Sequence, residues 1–323
     1  MKLGEIDKEL LMTLQYEFPR SPRIFKEVAE ALDLSEEEAV ERTKRLHEAG
    51  IVKRLGFYVN YKARGLKAAL IAYSTGGSFE GIAGYYRGDP HATHIYLRDH
   101  PVYDVWVVTK RGSLEELVSH ARKIAEKYEV GYVVLYSRRT YKLSVKYDLY
   151  GGVSRAGRYS LIPEDPPRAE DVGVPLEALR EFRSLEISRS PYRRVALKLG
   201  RSVEEAAKLA WRLVDKGVLG DPGAALDGRL VGFHENAMVT MEPGAYTSEE
   251  DLCRCAAMLP FTTHVVLRGS IPRDAWRQNC YFMVHAVNRS LIEELVSEAV
   301  VKCRPASYSV IRSIRDLKPG VAR

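Results

Sequence analysis

One stretch, residues 91–106, reads HATHIYLRDHPVYDVW. Two runs typical of β-strands lie on either side of a turn near Pro101. Every second side chain of a strand points to the same face, so His94, Tyr96 and Arg98 are predicted to share one face. An ordinary exposed face of an antiparallel sheet has the same polar pattern. This single copy therefore leaves open whether the face is a site or a solvated surface.

The stretch recurs in the second half of the chain. Thr93-His94 and Leu97-Arg98 return as Thr263-His264 and Leu267-Arg268, and the segment 113–119 returns as 290–297. Upstream, Val28-Ala29, Leu32, Ser35, Leu46 and Gly50 return at constant spacing as Val195-Ala196, Leu199, Ser202, Leu213 and Gly217. The motif 56–60 is also matched to 232–236. Self-similarity over this length predicts two fused copies of one unit.

Each copy is predicted to begin with helices and to continue as a sheet. In the first copy, helical apolar spacing covers residues 6–14 and 24–31, and Ser35 caps a third helix that ends at Gly50. A strand follows at 51–59, which makes a winged helix-turn-helix. The next residues change to strand periodicity, with strands at 66–74, 93–98, 103–109, 130–137 and 140–147 and helices at 79–86 and 113–128. That order is ferredoxin-like with one extra strand, an open sheet with helices on one side.

The predicted fold class is therefore α+β, a tandem repeat of a winged helix-turn-helix and a ferredoxin-like α/β sandwich domain. A segment rich in Gly, Pro, Arg and acids separates the copies and is interpreted as a linker. The predicted domains are 1–60 (winged helix-turn-helix 1), 61–150 (ferredoxin-like 1), 151–172 (linker), 173–230 (winged helix-turn-helix 2) and 231–323 (ferredoxin-like 2).

Composition is that of an ordinary globular protein, with 323 residues, 46% of them hydrophobic, and a net charge of +6 that fits nucleic acid or an acidic small molecule equally. The four cysteines lack paired C-x-x-C spacing, so free thiols are expected rather than a zinc ribbon or disulfides. No apolar run is long enough to cross a bilayer, and the first residues contain no secretory core. We expect a cytoplasmic protein with no membrane partner.

The second copy departs from the first around the aromatic position Trp106. A constant offset from His94 matches it to Trp276, whereas strand position matches it to Tyr281 and places Asp104 opposite Asn279. The second match is preferred because the following helix then aligns. The basic strand 138–148 has only a weak counterpart at 306–311, so the first half is expected to supply more of the substrate contacts.

The domain order resembles that of Lrp/AsnC transcription regulators. Three motifs resemble the siroheme decarboxylase family more specifically, namely residues 93–98, 104–109 and 141–148. That family's motifs read approximately His-x-Tyr-x-Arg, then Asn-x-Trp-Phe-Thr, then a Tyr/Phe-Lys/His-Ile/Leu strand that ends in Asp. This chain departs from them at Asp104 in place of Asn, at Val107 in place of Phe, and at Val266, which stands where the first copy has Tyr96.

The resemblance implies an enzyme, a carboxy-lyase that converts siroheme into 12,18-didecarboxysiroheme in siroheme-dependent heme biosynthesis. It also implies a fused pseudo-heterodimer, a tandem of two homologous subunits that can dimerise again. No cofactor is expected beyond the iron-containing tetrapyrrole substrate itself, because its conjugated ring can accept the electron pair that decarboxylation releases.

Siroheme carries several carboxylates, and a planar guanidinium binds a carboxylate with two hydrogen bonds. Arg98 is therefore the first candidate for substrate binding, with Arg268 as its counterpart. Proton donation to the reacting carbon needs an acid that works near neutral pH, for which histidine is suited. His94 is the candidate, assisted by the hydroxyl of Tyr96. The remaining substrate-binding candidates are Arg139, Lys142, Arg54, Trp106 and His264.

His264 has two predicted roles, as the counterpart of His94 and as a ligand of the siroheme iron. Other histidines remain open as proton donors, namely His91, His100, His234 and His285. Trp106 is interpreted as core or pocket wall rather than as a reacting group. The same His94 and Arg98 would serve a heme-binding sensor that binds a tetrapyrrole without reacting it.

A DNA-binding regulator is the rival hypothesis from another functional class. Recognition helices present their N-terminal residues to the duplex. In this chain those residues are acidic, namely Glu36, Glu37, Glu38 and Glu41 in the first copy and Glu204 and Glu205 in the second. Acids repel DNA phosphates, although Arg42, Lys44 and Arg45 lie further along the helix. DNA is therefore not the expected partner.

Overall fold

The computed structural model describes residues 3–319 and divides the chain into two units. Of the described residues, the helical unit contains 3–64 together with Lys142–Glu235 and His285–Leu291. The barrel unit contains Gly65–Tyr141, Asn236–Val284 and residues 292–319. Each unit therefore combines segments from both halves of the chain, one with the predicted helix-turn-helix segments and one with the predicted ferredoxin-like segments.

The elements alternate between the two units along the chain. The helices are α1 (Glu5–Tyr16), α2 (Ile24–Ala31), α3 (Glu36–Glu48), α4 (Glu80–Gly88), α5 (Leu114–Tyr128), α6 (Leu176–Arg183), α7 (Arg193–Leu199), α8 (Val203–Asp215), α9 (Glu249–Met258) and α10 (Arg289–Cys303). The strands are β1 (Val52–Val59), β2 (Lys67–Ser74), β3 (Ala92–Arg98), β4 (Val105–Arg111), β5 (Gly131–Leu143), β6 (Lys146–Tyr147), β7 (Ser154–Arg155), β8 (Leu219–Leu226), β9 (Glu235–Glu242), β10 (His264–Ile271), β11 (Cys280–Ala286) and β12 (Ser307–Asp316). No helix among the described residues is long and apolar enough to cross a membrane.

The helical unit is built on two matched helix starts. The hydroxyl oxygen of Ser35 accepts a hydrogen bond from the N–H of Glu38 and begins α3, and Ser202 with Glu205 forms a capping box at the start of α8. The two helical sets share one hydrophobic core, in which the ring of Phe57 contacts those of Phe182 and other aromatic residues. The predicted helix cap at Ser35 is confirmed.

Strands β1 and β8 form a two-stranded antiparallel sheet inside the helical unit, with Gly56 opposite Gly223. Both glycines have φ near +147°, and a Cβ at Gly56 would lie 2.6 Å from the carbonyl oxygen of Phe182. Glycine is required at such positions because other residues rarely adopt this backbone conformation. The equivalent of Gly56 is therefore Gly223, and the sequence match of 56–60 to 232–236 was wrong.

The barrel unit contains a closed eight-stranded barrel in the order β10-β11-β9-β12-β3-β4-β2-β5. The prediction of an open sheet was wrong because the edge strands of one half pair with the other half. β12 runs antiparallel to β3, with Ser313 opposite Arg98 and Asp316 opposite Tyr96. Edge strands leave unpaired backbone groups, and this pairing satisfies them.

The break predicted between strands at 130–137 and 140–147 is absent, because Gly131–Leu143 form one long strand, β5, and the end of the second predicted strand forms the short strand β6. The helical unit begins again at Lys142, near the end of β5, whereas the predicted domain boundary lies at residue 150. The segment interpreted as a linker also packs on the helical unit. The N–H of Leu143 donates to the carbonyl oxygen of Ser160, and that of the fully buried Ala169 donates to the carbonyl oxygen of Ala63.

The second half of the chain contains two disulfides, so the expectation of free thiols was wrong. Cys253 on α9 is bonded to Cys280 on β11, and Cys255 on α9 is bonded to Cys303 on α10, with Cα–Cα distances of 5.4 and 5.7 Å. Linear spacing does not predict these pairs because each one depends on how a helix packs against its neighbours. The disulfides join α9 to α10 and to strand β11.

Reduction of the two disulfides is expected to lower the free energy of unfolding. The bonded cysteines are 27 and 48 residues apart, so the chain-entropy model gives about 3–4 kcal/mol for each disulfide. The measurement is the denaturant midpoint with and without a phosphine reductant, together with thiol alkylation of denatured, unreduced protein. Labelling of all four cysteines before reduction would contradict the disulfides.

Candidate functional site in the barrel unit

The stretch that contains His94, Tyr96 and Arg98 lies on β3, and the structure shows which way its two faces point. Ile95 is fully buried in the core that α4 and α5 form against the outside of the sheet. The side chains that alternate with Ile95 therefore point to the inside of the barrel. A second core fills part of that interior, and its members come from both halves, namely Leu70, Ala72, Trp106, Val133, Leu135, Met238, Tyr281 and Ile311.

The three predicted residues are stacked along the strand. The rings of His94 and Tyr96 lie 5.9 Å apart at an interplanar angle of 14°, and the guanidinium carbon of Arg98 lies 4.9 Å from the centre of the Tyr96 ring. His94 and Tyr96 are half-buried, whereas Arg98 is only 5% exposed. The shared face predicted from strand alternation is confirmed, and it presents an imidazole, a phenol and a cation in sequence.

Burial has a direct effect on the charge of Arg98. Loss of solvent lowers the pKa of its guanidinium to about 10, while Tyr96 and Asp99 act in the opposite direction. The group therefore remains charged at neutral pH. Its Nη1 donates to the carbonyl oxygen of Ile311 at 3.1 Å, and none of residues 3–319 accepts a hydrogen bond from its buried Nε. A desolvated guanidinium whose Nε–H is not used in a hydrogen bond is suited to bind an anionic ligand.

The second half supplies the matching face of β10. Arg268 is 9% exposed, its Nη1 donates to the carbonyl oxygen of Leu135 at 3.0 Å, and its guanidinium lies 5.1 Å from the centre of the Tyr281 ring. In the registers of the two hairpins, Tyr96 lies opposite Trp106 and Val266 lies opposite Tyr281. The preferred match of Trp106 to Tyr281, by strand position, is confirmed.

His264 differs from its counterpart His94 in its surroundings. Burial lowers the pKa of His264 to about 4, with smaller contributions in the same direction from the positive charges of Lys110 and Arg268. The imidazole is therefore neutral at physiological pH. A neutral imidazole has a free electron pair and can bind a metal, but it is not an acid under these conditions.

Acidification is expected to destabilise the protein through His264. Its folded-state pKa lies below the ordinary value of 6.5, so the unfolded chain binds the proton more tightly, and stability falls as the pH drops from about 6.5 towards 4. The loss should reach about 3 kcal/mol. His264→Gln should remove this part of the loss, measured by urea unfolding at several pH values. The exposed His234→Gln is the control, and identical pH profiles for H264Q and wild type would contradict the assignment.

A cluster of rings closes part of the barrel interior. His100, Tyr103 and Trp106 from the β3–β4 hairpin contact the ring of Trp276, with centroids between 5.3 and 6.2 Å apart. Trp276 in turn stacks on Tyr281 at 6.4 Å. The indole N–H of Trp106 donates to the carbonyl oxygen of Tyr103, and Nδ1 of His100 accepts from the N–H of Tyr103. Trp106 is fully buried in the interior core, which fits the interpretation as core or pocket wall rather than as a reacting group.

Asp104, which departs from the family motif, anchors the turn that follows β2. Its carboxylate accepts hydrogen bonds from the hydroxyl and N–H of Thr75 and from the N–H of Gly77. Partial burial acts to raise the pKa of Asp104, but these hydrogen bonds dominate and hold the pKa below its ordinary value. The counterpart Asn279 donates to Glu249 at the start of α9. Both residues therefore position a sheet-to-helix connection.

The other predicted cations do not all join this cluster. Arg139 lies on β5 with its guanidinium 4.4 Å from the centre of the Tyr141 ring, in the barrel unit. Arg54 and Lys142 belong to the helical unit. Arg54 donates to the carbonyl oxygens of Phe57 and Arg183, and burial lowers the pKa of Lys142 to about 8. Their roles in substrate binding stay predictions.

The alternative histidines are distributed over both units. His91 and His234 are exposed, His100 belongs to the ring cluster, and His285 belongs to the helical unit, where its ring contacts that of Tyr147.

Sequence reasoning did not single out Tyr281 or Lys110 for the barrel interior. Two signals could have identified them. Lys110 lies four residues after Trp106 on the same strand and therefore on the same face, and Tyr281 is the counterpart of Trp106 in the second hairpin.

The helix starts that would contact DNA are engaged within the protein. Arg42, which follows the acidic first turn of α3, forms ion pairs with Asp7 at 3.0 Å and with Glu38 at 2.8 Å. Glu36 is paired with Arg23. Arg42, one of the three cations that would offset these acids, is therefore already paired with carboxylates, which weakens its attraction to phosphate.

Two family models and several siroheme decarboxylase proteins match this chain. The family model for an AsnC-like ligand binding domain matches residues 63–142 and 230–318, and the model for a siroheme decarboxylase NirDL-like HTH domain matches residues 7–52. The siroheme decarboxylase alpha subunit of Oleidesulfovibrio alaskensis is 30% identical over 149 residues, which cover 46% of this chain and 90% of that subunit. The chain belongs to the siroheme decarboxylase family.

Full-length relatives of the family contain both halves. The siroheme decarboxylase of Hydrogenobacter thermophilus is 25% identical over 319 residues, which cover 98% of this chain and 93% of that protein. The crystal structure of the siroheme decarboxylase NirDL has a TM-score of 0.63 at 21% identity and covers 97% of this chain and 92% of that one. It shares the fold. Because a half-length subunit and a full-length chain both match, this chain corresponds to two homologous family subunits joined in one polypeptide.

Proposed function

We propose that this protein is a siroheme decarboxylase, a carboxy-lyase that removes two acetate carboxyl groups from siroheme and releases 12,18-didecarboxysiroheme. The observation that carries the proposal is similarity to proteins of that name over nearly the whole chain. A related NirDL structure contains an iron-uroporphyrin III analogue, which supports a tetrapyrrole as the ligand class. The interior of the barrel unit supplies a physical reason for that ligand.

Two buried guanidinium groups would bind the acidic rim of the substrate. Arg98 and Arg268 come from equivalent strands of the two halves, and each already donates one hydrogen bond to a backbone carbonyl. A desolvated arginine binds carboxylate more strongly than an exposed one because water no longer competes for either charge. The rings of Tyr96 and Trp106 provide apolar surface beside these charges. Arg139, Lys142 and Arg54 stay weaker candidates for further carboxylates.

The chemistry needs one proton for each carboxylate lost. The bond between the acetate methylene carbon and its carboxylate breaks, carbon dioxide leaves, and the electron pair stays on the methylene carbon, where the conjugated macrocycle delocalises it. That carbon then takes a proton and becomes a methyl group. We assign His94 as the proton donor because it is half-buried on the interior face, with Tyr96 stacked beside it. Water can then return a proton to the imidazole.

His264 receives a different assignment in the second half. Because its imidazole is neutral at physiological pH, we propose that it would bind the siroheme iron rather than act as a second acid. A change in the absorption spectrum of bound siroheme in His264→Ala would support this role. An unchanged spectrum would remove it without affecting the assignment of His94.

The test is anaerobic incubation of the purified protein with siroheme, followed by mass spectrometry. The expected result is two successive losses of carbon dioxide and accumulation of the doubly decarboxylated product. Siroheme that binds with an altered absorption spectrum but keeps its mass would identify a sensor instead of an enzyme. Salt-dependent binding to duplex DNA, with no tetrapyrrole binding, would identify a regulator.

A further inference from the structure

Trp106 and Tyr281 occupy equivalent positions in the two halves, but their polar atoms are used differently. The indole N–H of Trp106 donates to the carbonyl oxygen of Tyr103 at 2.8 Å. The hydroxyl of Tyr281 is buried, and no hydrogen-bond partner for it exists in the described part of the chain. The polar atom of Trp106 therefore has a hydrogen-bond partner within the protein, whereas the hydroxyl of Tyr281 has none among the described residues.

The surroundings of Tyr281 place its side chain inside the barrel. The residue is 3% exposed and belongs to the interior core that includes Leu135 and Met238. The guanidinium of Arg268 lies over its ring at 5.1 Å, and the ring of Trp276 is stacked on it at 6.4 Å. An arginine and a second ring therefore fix the phenol, so its hydroxyl has a defined position rather than a range of rotamers.

A buried donor without an acceptor costs stability, and such groups are uncommon in folded proteins. The barrel interior contains a second one, the buried Nε of Arg98. Burial also raises the pKa of Tyr281 well above 10, so the phenol keeps its proton and can donate. Two unused donors and the cation of Arg268 on the same interior favour a ligand that offers several acceptor oxygens and negative charge.

We propose that the hydroxyl of Tyr281 is a substrate-binding group that donates a hydrogen bond to a carboxylate of the polyacidic tetrapyrrole. This inference rests on the proposed function, since it takes the same ligand. It gives the second half a contact that Trp106 does not provide in the first half, so the two halves hold different parts of the macrocycle. Arg268 and Tyr281 then act together on one carboxylate, as cation and neutral donor.

A purely structural role for Tyr281 predicts that removal of its hydroxyl leaves siroheme affinity unchanged. Another buried tyrosine of the same chain provides a matched control. Tyr192, in the helical unit, is also fully buried, and its hydroxyl likewise has no partner among residues 3–319. Replacing either tyrosine by phenylalanine removes one unsatisfied hydroxyl and leaves the ring in place. If both hydroxyls are only incidental to core packing, Tyr281→Phe and Tyr192→Phe should behave alike.

The experiment measures the dissociation constant of siroheme by absorbance titration, and the thermal midpoint without ligand, for wild type, Y281F and Y192F. The proposal predicts that Y281F binds siroheme about tenfold more weakly, as expected for loss of a hydrogen bond to a charged group. Its thermal midpoint should stay unchanged or rise. Y192F should retain wild-type affinity with the same direction of change in the thermal midpoint. In turnover, Y281F should raise KM more than it lowers kcat.

Equal affinities of Y281F and wild type would overturn the role of Tyr281, even if both variants decarboxylate siroheme normally. Conversely, tenfold weaker binding by Y281F in a protein that binds siroheme without decarboxylating it would support this contact and reject the enzymatic proposal. Iron uroporphyrin III, titrated in the same way, serves as a second polyacidic probe. A similar loss of affinity for that probe confirms that the contact recognises a carboxylate rather than the siroheme ring itself.

Discussion

His94→Ala is expected to lower the rate of siroheme decarboxylation by at least about a hundredfold, the lower end of the range for a positioned general acid. The physical reason is that the carbanion left after loss of carbon dioxide must take a proton inside a protein interior, where water is a poor substitute for an oriented imidazole. Substrate affinity should change little, because Arg98 and Arg268 supply the charge that binds the carboxylates. Single-turnover decay of siroheme, measured beside its dissociation constant, separates the two effects.

His91→Ala is the matched control for this experiment. His91 precedes β3 by one residue and is exposed, so its removal should leave both the rate and the affinity at wild-type values. A wild-type rate in H94A would assign the proton to another group. Loss of affinity without loss of rate would instead make His94 a binding residue.

The helices and the repeat could be predicted from local signals. Ser35 and Ser202 each precede acidic residues by a fixed spacing, and helix caps depend only on neighbouring residues. The shared face of His94, Tyr96 and Arg98 likewise follows from strand periodicity. What these patterns did not provide was the direction of that face, since an exposed face and a barrel interior can contain the same residue types.

Contacts between residues far apart in sequence were the ones that the patterns missed. Closure of the barrel depends on β12 pairing with β3, and Ser313 and Arg98 carry no sequence signal for that register. The cysteine pairs depend on helix packing in the same way. The continuous strand β5 was divided because its polar residues around Arg138 and Arg139 resemble a turn, whereas Arg138 is held on the barrel by Glu249 and Glu250.

The two halves also show why a repeat does not imply two identical sites. His94 and His264 are both half-buried, but the ring of His94 is stacked on that of Tyr96, whereas desolvation and the nearby positive charges of Lys110 and Arg268 lower the pKa of His264 to about 4. We therefore propose different roles for the same residue type, proton donation by His94 and metal binding by the neutral imidazole of His264. Val266 in place of a tyrosine fits this division, because the second half then lacks the phenol that stacks on the imidazole.

Arg98→Met is expected to weaken siroheme binding by about a hundredfold, or about 3 kcal/mol, within the range for removing one member of a buried charge pair. Methionine fills a similar volume and can remain packed against Tyr96. The variant also removes a desolvated charge that burial disfavours, so the free energy of unfolding should not fall by a comparable amount. Arg98→Lys should restore part of the affinity, because it keeps the charge but loses the planar fork.

The outer face of the same barrel provides the control. Arg138→Met removes a guanidinium that is paired with Glu249 and Glu250 and more than one-third exposed, so solvent screens it and little affinity should be lost. Equal losses in R98M and R138M would mean that binding responds to net charge rather than to a buried contact. Wild-type affinity in R98M would reduce Arg98 to a structural residue that joins β3 to β12, and the substrate would then need another cation to bind its carboxylates.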